Sequence, residues 1–259
     1  MRLSTGKIYI NMLGSETHLP KLILASSPYE VTEDLGLFAA VTLKSCSLDP
    51  IEGPCRFEEV EPDVFMNKWG LDNPGIDSVV DSILPKVRAV QPNVIFSAFF
   101  TGIDEIQPFM SRVPFSDVVG IELNISCPNR KGFDSVFSII EKAKEAAGSK
   151  VKLGLKINNG FNLTTLKHLP LDFITYSNTL PHVHDSFGLG GLSGKPLREL
   201  VVSQLTTVRN SFSGTLIACG GVKSAQDYQE YLNLGADYVG LASQYLKNKE
   251  VAYNILSGI

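Results

Sequence analysis

The sequence predicts one (β/α)8 barrel domain that spans residues 1–259. Short apolar runs, typical of buried parallel strands, alternate with segments of helical periodicity along the chain. The runs are 22–24, 39–42, 94–98, 118–123, 151–156, 173–176, 215–218 and 238–241. Eight such units in 259 residues indicate a closed barrel more than an open sheet. No Ser/Gly/Pro linker and no internal repeat divides the chain.

Several helices between these runs carry local signals. Residues 133–147 and 197–212 each have one apolar face. Ser224, with an acidic residue three positions later, resembles a capping box. Residues 76–90 also have an apolar stripe, in which Pro85 should kink the helix or mark its start.

The composition restricts the class of function. With 44% hydrophobic and 19% charged residues, the chain can bury a full core. A net charge of −4 without a long basic run argues against nucleic acid or an acidic membrane surface as the main partner. The N-terminal segment lacks the apolar region of a secretory signal, and no run approaches about 20 apolar residues. We therefore expect a cytoplasmic protein without a membrane span.

The cysteines are scattered. Cys46, Cys55, Cys127 and Cys219 form no C-x-x-C pair and no disulfide framework. Zinc and iron–sulfur clusters therefore have no evident ligand set, and we expect no metal site.

Polar and small residues gather directly after the predicted strands. In a (β/α)8 barrel these positions share one face, where active sites are built. They are Ala25, Ser26, Lys44, Ser45, Asn124, Cys127, Asn129, Lys156, Ser177, Asn178, Thr179, Gly220, Gly221, Ala242 and Ser243. The long connection 49–73, which also contains Asn67, is expected to serve the same site.

The glycines near the end of the chain indicate a phosphate site. Gly220 and Gly221 precede a capped helix after the seventh strand, where barrels often bind phosphate. Such a pair also serves tight turns. Gly190, Gly191 and Gly194 either extend this cradle or form a flexible loop.

Three residue types at this face could carry chemistry. Lys44 and Lys156 are either surface residues or groups that stabilise negative charge on a reduced flavin. Cys127 is either a small buried residue or a proton acceptor, since a thiol with a pKa near ~8.5 needs only a modest shift. The amides of Asn67, Asn124, Asn129 and Asn178 match the edge of a pyrimidine ring, although each alone is typical of a turn.

Taken in chain order, these motifs resemble the dihydroorotate dehydrogenase family, and they cover nearly the whole chain. Each motif is weak alone, and the ordered set is specific. The matching segments are 22–26, 41–45, 67–73, 124–129, 156–158, 177–179, 190–196, 219–222 and 240–243.

The resemblance implies an FMN enzyme that oxidises dihydroorotate to orotate in pyrimidine biosynthesis. Cys127 would be the base, Lys44 would lie between flavin and substrate, and Lys156 would lie against the flavin ring. The implied substrate residues are Asn67, Gly70, Leu71, Asn124, Asn129, Asn178 and Thr179. The implied FMN residues are Ala25, Ser26, Lys44, Ser45, Asn124, Lys156, Ser177, Gly191, Gly220, Gly221, Ala242 and Ser243. A homodimer is expected.

The chain also departs from the family pattern. It is shorter than typical members, with abbreviated stretches after Asn129 and between Thr179 and Gly188. Trp69 and Asp72 are not the residues expected in the substrate loop. Three alternatives stay open: a flavin barrel for another dihydropyrimidine such as dihydrouracil, a non-catalytic flavin- or pyrimidine-binding barrel, and a phosphate-binding aldolase or isomerase without flavin.

The sequence also bears on the electron acceptor. The chain has no G-x-G-x-x-G motif that opens a helix in a βαβ unit, so we expect that it does not use NAD by itself. Electrons would pass to a small acceptor such as fumarate or to a separate reductase subunit. The small acceptor is slightly favoured because no docking patch is evident.

Overall fold

The computed structural model describes residues 20–28, 30–125 and 136–259. Eight parallel strands close into a barrel, which confirms the predicted fold. In their order around the barrel the strands are β1 (Leu22–Leu24), β2 (Ala40–Thr42), β5 (Val94–Ala98), β6 (Gly120–Leu123), β7 (Lys152–Ile157), β8 (Phe173–Tyr176), β11 (Thr215–Cys219) and β12 (Tyr238–Leu241). Every predicted run forms one of these strands, with ends that shift by one or two residues at most.

The barrel interior changes from apolar to polar along its axis. Ile23, Ile95, Phe173 and Ile217 form an apolar layer near the amino ends of the strands. Gly154 leaves the space that the Phe173 ring fills, because a Cβ there would lie 2.2 Å from the ring. The buried polar side chains of Ser97, Glu122 and Thr175 follow toward the carboxyl ends.

Helices surround the barrel. They are α1 (Gly75–Ser78), α2 (Leu84–Val90), α3 (Ile106–Arg112), α4 (Val136–Ala147), α5 (Lys195–Ser211), α6 (Ala225–Asn233), α7 (Ser243–Lys247) and α8 (Glu250–Ser257). A π-helical turn (Val79–Ile83) joins α1 to α2, and short 3-10 segments lie at Glu33–Leu37, Ile103–Glu105, Phe115–Asp117 and Leu163–His168. Across the parts of the chain that the structure describes, every helix is too short or too polar to cross a membrane.

The local helix signals hold in most details. Pro85 stands in the first turn of α2, as its sequence position indicates. The Ser224 hydroxyl caps α6 by accepting the Asp227 N–H at 3.1 Å. In a full capping box the Asp227 carboxylate would accept the N–H of Ser224 itself. Here it accepts the N–H of the preceding residue, Lys223, at 3.1 Å. The beginning of the predicted helix 133–147 lies outside the described residues.

A second sheet corrects two predictions. Its antiparallel strands, in spatial order, are β3 (Arg56–Glu61), β4 (Val64–Lys68), β10 (Gly188–Gly194) and β9 (Leu180–His184). The connection 49–73 therefore contains a hairpin, and the glycines of 190–194 belong to a strand rather than to a flexible loop. Those glycines permit close packing: a Cβ at Gly190 would lie 2.7 Å from the Asn67 carbonyl oxygen.

Polar contacts fix this accessory sheet to the barrel. The carboxylate of Asp63, in the turn between β3 and β4, pairs with the Lys223 ammonium. It also accepts a hydrogen bond of 3.2 Å from the Gln244 amide. Lys247 on α7 pairs with Glu59 of β3 at 2.7 Å. The sheet is thereby held beside the carboxyl ends of the barrel strands.

Candidate active site

A cavity of about 620 Å³ lies between the carboxyl ends of the barrel strands and the accessory sheet. Cavities of this size are typical of small-molecule sites. The predicted residues that line it are Ser26, Lys44, Ser45, Asn67, Gly70, Leu71, Asn124, Lys156, Ser177, Asn178, Thr179, Gly191, Gly220, Gly221, Ala242 and Ser243. Residues from distant parts of the sequence are thus brought into one site.

Three predicted site residues do not appear in this lining. Ala25 is buried, and its N–H donates to the Leu241 carbonyl at 2.9 Å, so it supports the wall instead of forming it. Cys127 and Asn129 lie outside the described residues, and their roles stay predictions.

Lys44 contributes a buried amino group to the lining of the cavity. Its Nζ atom is buried and has no hydrogen-bond partner among the described residues. Burial lowers the pKa of Lys44, and the nearby Asp72 carboxylate opposes that shift only in part. A buried ammonium without a partner is costly, so the site favours a ligand that brings an anionic group.

Lys156 supplies a second cation from β7. The residue is 7% exposed and lines the cavity beside Cys219. Burial raises the pKa of the Cys219 thiol to about 11, and the charge of Lys156 lowers it less strongly. Cys219 is therefore a protonated thiol at neutral pH, and Lys156 is the basic side chain on this side of the cavity.

The amides that line the cavity are ordered by hydrogen bonds. Asn124 donates from Nδ2 to the Ser45 hydroxyl at 2.9 Å and accepts from Asn178 Nδ2 at 3.2 Å. The Asn178 oxygen accepts the N–H of Thr179 at 2.9 Å. On the accessory sheet, Asn67 donates to the Gly191 carbonyl at 3.1 Å. These groups offer a fixed pattern of donors and acceptors.

A tight turn forms one corner of the cavity. The N–H of Asp72 donates to the Trp69 carbonyl at 3.2 Å, and the two central residues, Gly70 and Leu71, have φ values of 64° and 62°. A non-glycine residue in this region costs about 1–3 kcal/mol. The Asn73 side chain helps to hold the turn in this conformation by donating to the Leu71 carbonyl at 2.7 Å. The Gly70–Leu71 backbone is therefore fixed toward the cavity.

The glycine pair after β11 has the geometry of a cradle. Gly221 has a φ of 66°, and a Cβ there would lie 2.2 Å from the Gly194 carbonyl oxygen. Nearby, the hydroxyls of Ser193 and Ser243 are hydrogen-bonded at 2.7 Å. The absence of side-chain bulk leaves backbone groups accessible at this end of the cavity, which suits a phosphate.

An aromatic wall was not predicted from the sequence. Phe57 and Trp69 line the cavity, with ring centroids 6.2 Å apart and planes inclined by 17°. Pro181 and Leu189 add apolar surface from β9 and β10. The available signal was the aromatic content of 57–69, which becomes informative only once this segment is recognised as a hairpin.

The fold and this cavity define the class of protein: a (β/α)8 barrel enzyme with its site at the carboxyl ends of the strands. The family model for dihydroorotate dehydrogenase matches residues 25–158 and 137–259. The chain therefore belongs to the dihydroorotate dehydrogenase family, which makes it an oxidoreductase.

Individual relatives agree with this assignment. A protein of Sulfolobus acidocaldarius named dihydroorotate dehydrogenase B (NAD(+)), catalytic subunit, is 31% identical over 242 residues, which cover 85% of this chain and 80% of the relative. A protein of the same name from Thermotoga petrophila is 29% identical over 260 residues and is covered to 95%. The crystal structure of DHODH from Eimeria tenella in complex with ferulenol has the same fold, with a TM-score of 0.77 at 18% identity over 92% of this chain and 79% of that one.

Proposed function

We propose that this protein oxidises dihydroorotate to orotate, with FMN as the hydride acceptor. The observation that carries the proposal is one cavity lined by ordered amides, a glycine cradle and Lys44, whose ammonium has no hydrogen-bond partner among the described residues. Family membership supplies the reaction type. Dihydroorotate combines a carboxylate with a ring rich in N–H and C=O groups, and this combination suits the cation and the amides.

The cavity fits FMN at the glycine cradle. Gly220, Gly221, Ala242 and Ser243 would hold the phosphate, since backbone groups are accessible there. Lys156 would lie against the ring system and favour its reduced, negatively charged form. When bound, FMN would supply two-electron redox chemistry, which protein side chains lack.

The substrate would occupy the end of the cavity formed by Lys44 and the Gly70–Leu71 turn. Lys44 would neutralise the carboxylate and so gain a hydrogen-bond partner, which it lacks among the described residues. Asn67, Asn124 and Asn178 would bind the ring by their amides, with Thr179 beside them and Asn129 completing the set as the resemblance implies. The aromatic wall would exclude water from this region.

Cys127 would act as the base. Its Sγ atom would take a proton from the ring of dihydroorotate, while the hydride leaves the adjacent carbon for the flavin. The step would then balance: dihydroorotate would lose one proton to the Cys127 sulfur and one hydride to the cofactor, and orotate would have one more C=C bond. General base catalysis of this kind typically contributes about 10²–10⁴-fold.

The route of the electrons away from the site follows from the relatives. Their names describe NAD(+)-type enzymes in which this kind of chain is the catalytic subunit. We therefore propose that a separate reductase subunit, rather than fumarate, receives the electrons. This reverses the slight preference for a small acceptor that was based on the sequence alone. The single domain over 1–259, the cytoplasmic location and the homodimer stay predictions.

Steady-state kinetics with an artificial electron acceptor test the substrate. The purified chain, loaded with FMN, should turn over dihydroorotate and discriminate against dihydrouracil, which lacks the carboxylate. Lys44→Met should remove most of that discrimination. Equal rates on both substrates in the unmodified protein would contradict the proposal and favour another dihydropyrimidine.

The same preparation tests the acceptor. With dihydroorotate as donor, NAD and fumarate should each support little turnover when no second protein is added. Steady NADH formation by the single chain would refute the separate subunit, and rapid turnover with fumarate would restore the small acceptor.

A further inference from the structure

A buried carboxylate lies inside the barrel below the cavity. Glu122 is on β6, is 1% exposed and does not line the cavity. Its Oε2 atom accepts from the Thr175 hydroxyl at 2.5 Å, and its Oε1 atom accepts from the Ser97 hydroxyl at 3.3 Å. Each of these hydroxyls thus donates to the carboxylate and, having a single proton, can donate to no other group.

This requirement fixes the direction of the next hydrogen bonds. Ser97 donates its one hydroxyl proton to Glu122, so it must accept a hydrogen bond from Ser45, whose hydroxyl oxygen lies 2.8 Å away. Ser45 in turn donates its one hydroxyl proton to Ser97. Ser45 must therefore accept in its contact of 2.9 Å with Asn124, which turns the NH₂ group of Asn124 toward Ser45.

The direction continues to the surface of the cavity. With its NH₂ group committed to Ser45, Asn124 presents its oxygen to Asn178 Nδ2 at 3.2 Å. Asn178 then presents its own oxygen to the N–H of Thr179 at 2.9 Å. An asparagine side chain has no intrinsic preference between its two orientations, so the surrounding hydrogen bonds choose one.

We propose that Glu122 is a positioning residue that sets the donor and acceptor faces of Asn124 and Asn178 through the hydroxyls of Ser97 and Ser45. The role concerns ligand recognition from a distance, because the hydrogen-bond partners of Glu122 among the described residues, Ser97 and Thr175, do not line the cavity. Its value for ligand binding rests on the proposed function, in which these amides bind the pyrimidine ring. A flipped amide would place donor against donor and acceptor against acceptor.

The barrel offers a matched pair of variants. Ser97→Ala removes the link between Glu122 and Ser45, whereas Thr175→Val removes the other hydroxyl donor to Glu122 without touching that link. Each variant takes one buried hydrogen bond from the same carboxylate, but Ser97→Ala also loses the bond to Ser45, so it should lower the melting temperature more than Thr175→Val. Glu122→Gln should have an effect between wild type and Ser97→Ala, because its amide nitrogen competes with its oxygen for Ser97.

The first readout uses the protein without any ligand. Side-chain NH₂ resonances of Asn124 and Asn178, assigned by ¹⁵N labelling and Asn→Asp substitution, report the partners of each amide. They should shift in Ser97→Ala, shift less in Glu122→Gln and stay in place in Thr175→Val. Unchanged resonances in Ser97→Ala, or equal shifts in Thr175→Val, would overturn the proposal whatever the protein binds.

The second readout is the affinity for orotate of the FMN-loaded protein. One misdirected hydrogen bond costs about 1–1.5 kcal/mol, so Ser97→Ala should weaken binding by about tenfold and Thr175→Val by less than about twofold. Equal affinities in Ser97→Ala and wild type would contradict the ligand role. If wild type itself binds no orotate, the proposed function fails, and the resonances decide the role of Glu122 separately.

Discussion

Lys44 should lower the stability of the ligand-free protein while it supports ligand binding. Its ammonium is buried without a hydrogen-bond partner among the described residues. Methionine has a similar unbranched shape and no charge, so Lys44→Met retains most of the packing and removes the cost of desolvation. We expect the variant without ligand to be more stable than wild type by about 1 kcal/mol, at the low end for an unsatisfied buried polar group.

The pH dependence gives the sign of this effect. Burial lowers the pKa of Lys44 in the folded protein below its ordinary value of 10.5. Between these two pKa values the unfolded chain binds more protons than the folded one, so wild-type stability rises with pH through that interval. The stability gap between Lys44→Met and wild type should therefore be largest at neutral pH and close as the pH approaches 10.5.

Ligand binding should change in the opposite direction. A hydrogen bond to a charged group contributes about 1.5–3 kcal/mol, so Lys44→Met should weaken orotate binding by about 10- to 150-fold. Urea unfolding of the ligand-free protein and orotate titration of the FMN-loaded protein measure the two effects. A variant that is less stable without ligand, or that binds orotate as wild type does, would refute the reasoning.

Further predictions concern the base, the cradle and acid stability. Cys127→Ala should lose about 10²–10⁴-fold in dihydroorotate oxidation and still bind FMN, whereas Cys127→Ser should retain some activity with its optimum at higher pH; near-normal turnover of the alanine variant would make the thiol structural. Gly221→Ala should weaken FMN binding in a titration, since its Cβ would lie 2.2 Å from a backbone oxygen and its φ is 66°; unchanged affinity would exclude the cradle. Burial alone would raise the pKa of Asp172. The hydrogen bonds from the Leu153 N–H and the Lys144 ammonium outweigh that effect, so the pKa lies below its ordinary value of 3.8. Its stabilising contribution should be present above pH 3.8 and be lost as the pH falls through the folded pKa. Acid titration of unfolding should show this loss in wild type and not in Asp172→Asn.

The barrel was predictable because its strands are unusually clear in the sequence. Each is a short run that is almost entirely buried, and most are followed by polar or small residues. Active sites of such barrels form at the carboxyl ends of the strands. This rule alone, without any distances, predicted that one site contains Lys44, Asn124, Lys156 and Asn178. The structure brings these residues to one cavity.

The accessory sheet was not predictable by the same reasoning. Strand β3 contains three glutamates and strand β10 four glycines, which are unfavourable compositions for strands. The pairing of Asn67 with Gly191 joins segments far apart in sequence, so no local signal reports it. The aromatic wall of Phe57 and Trp69 was missed for this reason.

Glu122 illustrates a signal that was present but not used. It is the single charged residue in the run Gly120–Leu123, which is otherwise apolar. A charge in a strand that is buried on both faces must find hydrogen bonds inside the barrel. The identity of its partners, Ser97 and Thr175, depends on strand register and needed the structure.

The most direct test of the account is the visible spectrum of the purified protein during anaerobic addition of dihydroorotate. We expect the protein to contain bound flavin with an absorbance band in the blue region of the visible spectrum. One equivalent of dihydroorotate per site should bleach this band and release one equivalent of orotate. Dihydrouracil should leave the band unchanged over the same time. A protein that takes up no FMN, or whose bound FMN stays oxidised with dihydroorotate, would contradict the central claim.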